Sequence, residues 1–303
     1  MYNVVSFADS RIRRSLERLK CQARSMGVLN QIDIFTESDL PIKFKRRFKD
    51  KLLFGSRGFA YWSWKPEVIL MSLSKMKLGD CLLYVDAGCH FNIRGQKRLL
   101  EYFEILKEQE KGIIAFQANQ PNPENSSILY DGRKLFDQPN YRWIKGDLLD
   151  YFNVREDPSV INTQAIGATV ILIKKNEQAI DIIKEWQQII WERFDLLDDT
   201  PSVSHNLTDF IEHRHDQAIW TLLCLKYGVK TLSAYEYWYP SRDLKKLKPD
   251  WDALAECPIH AKRDLDKGLV MNIIGKFSRI ISYSLRYFFQ GWNRLTSWSR
   301  QSR

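Results

Sequence analysis

Residues 79–92, GDCLLYVDAGCHFN, place an acidic residue directly after a run of strand-forming residues. Residues 82–85 predict a strand, and Asp86 stands at its carboxyl end. The small residues 87–89 let a ligand approach the backbone. Because open α/β sheets bind ligands beyond the carboxyl ends of their strands, Asp86 is a candidate for holding a metal or a polar ligand. The alternative is an aspartate that only caps a turn.

The length and composition are those of an ordinary globular protein. A chain of 303 residues allows about two domains, or one α/β domain with an appendage. Hydrophobic residues make up 44% and charged residues 27%, which is typical of globular proteins. The 10 Trp, 13 Tyr and 16 Phe are a high aromatic content, and such side chains often line sugar or base sites or lie at a membrane interface.

The cysteines and the amino terminus favour a cytosolic chain with reduced thiols. The number of cysteines is odd, and no CxxC pair predicts a zinc cluster. The start MYNVVSFADS lacks the charged segment and apolar run of a signal peptide. No uninterrupted apolar run is long enough to predict a membrane-spanning helix. The five cysteines are Cys21, Cys81, Cys89, Cys224 and Cys257.

The net charge of +9 is unevenly distributed. Residues 262–303 contain nine basic and two acidic residues, so most of the excess lies in the C-terminal tail. A second basic cluster occupies residues 43–51, where it could face phosphate or an anionic surface. The alternative for this second cluster is a solvated helix face.

The first 35 residues predict a strand, a helix and a second strand. The apolar residues Val4 and Val5 lead into 6-SFAD-9, and small and polar residues after a first strand are a common nucleotide site. Residues 11–26 predict a helix that Gly27 ends, and residues 32–35 predict the next strand. This βαβ unit favours a parallel sheet covered by helices. Neither GxGxxG nor a P-loop motif follows the first strand.

Residues 57–66, RGFAYWSWKP, place three large rings between two basic residues. Gly58 permits an unusual turn, and Pro66 suits the first turn of a helix over residues 67–77. Arg57 or Lys65 could bind a diphosphate at this helix start, with Tyr61, Trp62 and Trp64 shaping a sugar or base pocket. The alternative is an aromatic cluster that fastens the helix to the sheet.

The middle of the chain predicts further α/β units around a long loop. Residues 95–110 predict a helix, residues 112–116 a strand, and residues 117–142 a surface loop that we interpret as an acceptor loop or lid. Residues 165–173 predict a buried strand in which Gly167 and Ala168 allow close backbone approach. A helix over residues 174–194 follows.

Residues 213–227, HRHDQAIWTLLCLKY, predict a buried helix with polar residues at its start. Asp216 and Gln217 lie in its first turn, where Asp216 could serve a site or only favour the helix dipole. Residues 229–232 predict a strand. In 258-PIHAKR-263, His260 is a candidate metal ligand or phosphate donor, although a lone histidine is usually structural.

Over about residues 1–263, the chain resembles bacterial sugar-nucleotide glycosyltransferases of the GT-A fold. The segments that carry the resemblance are the opening VVSFAD, the pair RGFAYWSWKP and YVDAG, the strand AIGATVILIKKN and the helix start HDQAI. Enzymes of this kind build capsule, O-antigen or lipooligosaccharide. The resemblance implies an α/β fold with a GT-A-like, Rossmann-related sheet, mixed and mainly parallel, flanked by helices. It implies one such domain over residues 1–265.

The resemblance also implies roles for individual residues. YVDAG lies where the family has its DxD motif, so Asp86 would bind a divalent Mn²⁺ or Mg²⁺ that bridges the donor diphosphate, with His260 completing the site. Gly88 stands where the motif has its second aspartate, so the metal could be bound more weakly, be completed by other ligands, or be replaced by Arg57, Lys65 or Lys262. The implied catalytic residues are Asp86, Asp216 and Gln217, the metal ligands are Asp86 and His260, and the donor-binding residues are Phe7, Ala8, Asp9, Arg57, Tyr61, Trp64, Lys65, Gly167 and Lys262.

The tail over residues 266–303 predicts a basic amphipathic helix. From Val270 to Leu295, apolar residues recur at spacings of three and four, while Arg279 and Arg286 interrupt any membrane-spanning run. Such a helix suits the headgroup region of an anionic membrane. The alternative is a last helix that packs on the domain or on a partner subunit.

The resulting prediction is a glycosyltransferase on the cytoplasmic face of the inner membrane. It would move a sugar from a nucleoside diphosphate, with UDP as the expected nucleotide, to a saccharide or lipid-linked saccharide. One alternative is a catalytically silent sugar- or nucleotide-binding scaffold of the same fold, favoured by Gly88. A nucleic-acid-binding protein is disfavoured because no RNP, KH or zinc pattern is present, and the glycine-rich, lysine-containing loop of a nucleotidyltransferase is not visible.

Overall fold

The structure, a computed structural model, describes residues 1–53, 55–118, 138–239 and 249–265. The predicted membrane tail lies outside the described residues, as does most of the predicted acceptor loop. No helix in the described ranges is long and apolar enough to cross a membrane.

The elements follow one another in the α/β order that the sequence predicts. The strands are β1 Tyr2–Phe7, β2 Gln31–Phe35, β3 Cys81–Val85, β4 His90–Phe91, β5 Ile113–Gln117, β6 Ile166–Lys174, β7 Lys230–Ser233 and β8 Ile259–His260. The helices are α1 Arg13–Ser25, α2 Ile42–Arg47, α3 Gly58–Tyr61, α4 Lys65–Lys75, α5 Gln96–Lys107, α6 Asn140–Trp143, α7 Gly146–Tyr151, α8 Pro158–Ile161, α9 Glu177–Glu192 and α10 His215–Tyr227.

Six strands form one mixed sheet in the order β2-β1-β3-β6-β5-β7. β1 pairs in parallel with β2 and β3, and β5 pairs in parallel with β7. β6 runs antiparallel to both of its neighbours, β3 and β5. The α/β class with a mixed, mainly parallel sheet flanked by helices is therefore confirmed.

The core lies in two layers, one on each face of the sheet. Along β3, Leu82 and Tyr84 face the layer formed with α4, α9 and α10, whereas Leu83 and Val85 face the layer formed with α1 and α5. Successive side chains of a strand point to opposite faces, so a strand covered on both faces is apolar at every position. The continuous apolar run before Asp86 thus follows from the central place of β3 in the sheet.

The small elements have no recognisable pattern in the sequence. β4 and β8 form a separate two-stranded sheet in which His90 pairs with His260. This pairing brings residues 259–265 beside the segment that follows β3, because the Asp264 amide donates to the Gly88 carbonyl at 3.0 Å. The end of the described chain therefore lies against the edge of the sheet where Asp86 emerges.

Candidate active site

The ammonium group of Lys65 joins segments that are far apart in the sequence. Its Nζ donates to Asp216 Oδ2 at 2.6 Å and to the Ala168 carbonyl at 2.9 Å, and it lies 3.3 Å from Asp86 Oδ1. The Lys65 side chain is only 2% exposed. We call Lys65, Asp86 and Asp216 the lysine–carboxylate cluster.

Each member of this cluster occupies the end of a regular element. Asp86 follows β3 directly, Lys65 begins α4 with Pro66 beside it, and Asp216 lies in the first turn of α10. β6 contributes the carbonyl of Ala168 from its place beside β3. Lys65, Asp86 and Asp216 thus meet at the carboxyl end of β3, with Lys65 between the two carboxylates.

Asp86 does not act as a turn cap through its side chain. Its backbone carbonyl accepts from the Cys89 amide, while its Oδ1 accepts from the Tyr84 hydroxyl at 2.6 Å. Oδ2 has no partner in the described part of the chain, and the side chain is 29% exposed. Arg18 of α1 secures the following turn by donating to the carbonyls of Ala87 and Cys89. Asp86 is therefore held on one oxygen and open on the other.

Burial and pairing shift the pKa values of the cluster in defined directions. Burial raises the pKa of Asp216 to about 6, since its pairing with Lys65 offsets only part of that effect and Asp86 adds to it. Burial alone would lower the pKa of Lys65, but the charges of Asp216 and Asp86 outweigh it and raise that pKa. At pH 7 the cluster therefore holds a protonated lysine and an ionised Asp216. Burial and the neighbouring Asp86 charge also raise the pKa of Tyr84 well above its usual value.

The role predicted for Lys65 is corrected by these contacts. An ammonium group has three N–H donors, and three protein oxygens already surround Lys65 Nζ. No donor remains for a phosphate, and the side chain does not reach solvent. Lys65 instead holds two carboxylates together.

The turn before α4 is left-handed. Residues 58–62 all have positive φ, between 49° and 64°, and four of them are not glycine. The amides of Tyr61 and Trp62 donate to the carbonyls of Arg57 and Gly58, as in one turn of a left-handed helix. Left-handed backbone costs about 1–2 kcal/mol for each residue with a Cβ atom. Surrounding contacts must therefore hold it, and such strain is concentrated at functional sites.

The aromatic residues of the turn pack on their neighbours. Trp64 stacks on Phe7 at 4.0 Å between ring centroids, and its Nε1 donates to the Gly58 carbonyl at 3.1 Å. The Tyr61 ring lies 5.0 Å from that of His215, which directly precedes Asp216. Trp64 is buried, as the packing alternative expects, and Phe7, predicted to bind the donor, is buried in the core as well, while Tyr61 is partly exposed.

Asp9 and Ala8 lie at the end of β1, as predicted, but the Asp9 carboxylate is already paired. Both of its oxygens accept from the guanidinium of Arg11, and Oδ1 also accepts from the Arg11 amide. The Ala8 amide donates to the Phe35 carbonyl of the neighbouring strand. A ribose could bind Asp9 only by displacing Arg11.

Gly167 has the close approach that the sequence predicts. A Cβ atom at this position would lie 2.3 Å from the Tyr237 hydroxyl. Burial raises the pKa of that hydroxyl, and the charge of Asp86 contributes in the same direction. Tyr237 thus packs against β6 within electrostatic range of Asp86, a proximity that no local pattern in the sequence indicates.

His260 and Lys262 do not contact the lysine–carboxylate cluster. The His260 ring stacks on Trp251, and its Nε2 donates to the Leu254 carbonyl at 2.9 Å. Lys262 Nζ lies 5.4 Å from the centroid of the same Trp251 ring. Both side chains belong to the packing around the two-stranded sheet.

The described residues do not form a complete set of protein ligands for a divalent metal at Asp86. Mn²⁺ and Mg²⁺ prefer oxygen and imidazole ligands. No group of three or more His, Cys, Asp or Glu suited to a metal exists in the described ranges. Asp86 Oδ1 faces a protonated lysine, and Gly88 supplies no second carboxylate. With its Nε2 bound to a carbonyl, His260 does not complete the set.

Comparisons with known proteins find structural similarity but no sequence family. No protein-family model matches the chain, and no curated protein matches its sequence. The bifunctional glycosyltransferase WbbM in its apo form is 11% identical, with a TM-score of 0.46 over 86% of this chain and 45% of that one. A glycosyltransferase involved in the glycosylation of the major capsid of PBCV-1 is 9% identical, with a TM-score of 0.44 over 88% and 98%.

Mouse xyloside xylosyltransferase 1 in its apo form is also similar, at 11% identity with a TM-score of 0.39 over 86% of this chain and 96% of that one. Similarity at this level leaves the function to be argued from the residues of this chain.

Proposed function

We propose that this protein is a glycosyltransferase that moves a sugar from a nucleoside diphosphate, with UDP as the expected nucleotide, to a saccharide of a bacterial surface glycan. The observation that carries the proposal is the convergence of the YWSWKP, YVDAG and HDQ segments on Lys65. The resemblance to GT-A glycosyltransferases rests on these same segments. Their meeting at the carboxyl end of β3 supports a common site.

The chemistry of such a transfer sets what the site must do. An oxygen of the acceptor hydroxyl forms a bond to the anomeric carbon of the sugar. The bond from that carbon to the diphosphate oxygen breaks, and its electron pair leaves with the diphosphate. The hydroxyl proton passes to a base. Carboxylates serve such reactions as bases, as nucleophiles or as stabilisers of positive charge at the anomeric carbon.

Asp86 is the carboxylate that we assign to the substrate. Its Oδ2 is open, whereas the Asp216 side chain is only 9% exposed and is bound to Lys65. We assign Asp216 to holding Lys65, and through it Asp86, in position. Gln217 is partly exposed in the same turn and is assigned to a sugar hydroxyl. The saccharide acceptor would approach from the open side of Asp86.

The test is a transfer assay on the full chain, preceded by a thermal-shift screen of nucleotide sugars to find the donor. Asp86→Asn is expected to lower the transfer rate at least about 100-fold, the usual range for loss of an acid–base group, with nucleotide binding retained. Asp181→Asn is the matched control, because Asp181 lies on the exposed face of α9.

Two outcomes would contradict the proposal. A protein that binds no nucleotide and no nucleotide sugar cannot be a transferase of this kind. One that binds UDP but transfers no sugar to any acceptor would support the catalytically silent scaffold.

A further inference from the structure

Two arginines share one carboxylate near the start of α10. Glu212 Oε1 lies 3.2 Å from Arg214 Nη1, and Glu212 Oε2 lies 3.9 Å from Arg57 Nη2. Arg214 precedes Asp216 by two residues, so both guanidinium groups stand at the start of α10. Asp199 is a second partner of Arg57, at 3.3 Å.

These ion pairs are of the weak, exchangeable kind. Glu212 is 42% and Asp199 is 51% exposed, and ion pairs exposed to this extent contribute about 0–1 kcal/mol. Arg214 also lies over the ring of Trp143 at 4.1 Å, while its Nε is buried without a partner in the described part of the chain. An anion with several oxygens could therefore replace these carboxylates as the partner of the arginines.

A third arginine reaches the same place from the end of the described chain. The Cα atom of Arg263 lies 3.3 Å from where a Cβ of Gly88 would stand. Gly88 follows Asp86 by two residues, so the backbone of Arg263 lies close to the segment that carries Asp86. The exposed Arg263 side chain has no ion-pair partner in the described ranges.

Arg214 lies within electrostatic range of both Arg57 and Arg263. After burial, the charges of Arg263 and Arg57 lower the pKa of Arg214, against the opposite effect of Glu212. Like charges held together favour the binding of an anion, and guanidinium groups match phosphate oxygens in a two-point contact. We call Arg57, Arg214 and Arg263 the arginine group.

We propose that the arginine group binds the diphosphate of the donor and neutralises its charge, in the role that a divalent metal would otherwise have. The absence of a fitting ligand set among the described residues and the exchangeable partners of Arg57 and Arg214 support this assignment. The backbone of Arg263 lies against Gly88, the position where the motif has its second carboxylate. The identity of the ligand as a sugar donor rests on the proposed function, but the diphosphate site does not.

Inorganic pyrophosphate and UDP are the probes, measured by titration calorimetry on the full chain. Both are expected to bind in EDTA, with affinities that change less than about 2-fold when Mn²⁺ replaces EDTA. Arg214→Gln and Arg263→Gln are each expected to weaken pyrophosphate binding at least about 10-fold, the usual scale of a lost charged hydrogen bond. Arg94→Gln, an exposed arginine on the turn before α5, should have no effect.

The outcomes separate this proposal from the proposed function. Binding that is lost in EDTA, restored by Mn²⁺ and unchanged in the arginine variants would overturn the arginine group and favour a metal. If Arg94→Gln weakens pyrophosphate binding equally, the effect comes from overall charge, and the proposed role of the arginine group is overturned. Pyrophosphate binding through the arginines without any sugar transfer would support the arginine group and contradict only the transferase. Melting temperatures of all variants show whether each one is folded.

Discussion

The contacts of Lys65 differ from those that its sequence motif predicts. In the sequence it is a basic residue at a helix start, which suits phosphate binding. In the structure its ammonium is enclosed by two carboxylates and a carbonyl. Breaking a buried ion pair by removing one partner costs about 3–5 kcal/mol, so the three residues of the cluster depend on one another.

The raised pKa of Asp216 predicts a specific dependence of stability on pH. The folded-state pKa is about 6, above the ordinary value of 3.8. The folded state therefore binds this proton more tightly than the unfolded state. The resulting stabilisation is fully present below about pH 4 and is lost as the pH rises through about 6. The free energy of unfolding of the wild type relative to Asp216→Asn should fall by up to about 3 kcal/mol over that interval.

Urea denaturation at pH 4, 5, 6 and 7 measures this difference. Asp181→Asn is the control, because an exposed carboxylate should give a difference that is nearly constant with pH. A wild-type advantage over Asp216→Asn that grows with pH would show that pairing with Lys65 outweighs burial and would contradict the raised pKa.

The left-handed turn before α4 gives the YWSWKP segment its shape. Only glycine adopts positive φ without a steric penalty, and only one of the five residues in this turn is glycine. The others are held by the ring of Phe7, by His215 and by the hydroxyl of Ser56, which accepts from the Ala60 amide at 3.1 Å. The entry of the chain into α4 thus depends on contacts with other elements.

Gly58→Ala should destabilise the protein more than Gly79→Ala does. Both glycines have positive φ, so both variants carry the same kind of backbone strain. At Gly58 the new methyl group would also lie 2.4 Å from the Trp62 ring, whereas at Gly79 it meets nothing within 4 Å. We expect Gly58→Ala to cost about 1–3 kcal/mol more in the free energy of unfolding, the range for overpacked positions. Chemical denaturation of both variants measures the difference, and equal losses would show that Trp62 moves aside freely.

The charge of the whole chain is unevenly distributed between the described residues and residues 266–303. The described residues form two apolar layers around one sheet, whereas the tail carries most of the excess positive charge. We propose that the tail binds an anionic membrane surface and brings the site to a lipid-linked acceptor at the cytoplasmic face of the inner membrane.

Neutralising two arginines of the tail should weaken membrane binding. Each basic residue near an anionic surface contributes about 1 kcal/mol, so Arg279→Gln with Arg286→Gln should lower partitioning about 30-fold. Co-sedimentation with vesicles containing phosphatidylserine measures this change. The matched control removes two charges from the domain surface, Arg94→Gln with Lys97→Gln. Equal losses in both double variants would show a response to net charge and would contradict a specific role of the tail.

Much of the fold follows from local patterns in the sequence. The apolar runs at β1, β3 and β6 and the periodic helices α1, α9 and α10 lie within a few residues of their predicted positions. Such patterns predict an element because the spacing of apolar residues repeats along its length. The pairs of residues in β4 and β8 are too short to produce a pattern, so their pairing was not predicted.

The residue content of the site was predictable, but its arrangement was not. The strand-end position of Asp86 and the first-turn position of Asp216 are local properties of β3 and α10, so the sequence alone determined them. Other contacts join residues that are distant in the chain. Lys65 binds Asp216, His260 pairs with His90 in a separate sheet, and Arg263 approaches Gly88. Such contacts depend on how strands and helices pack across the molecule, which no local spacing encodes.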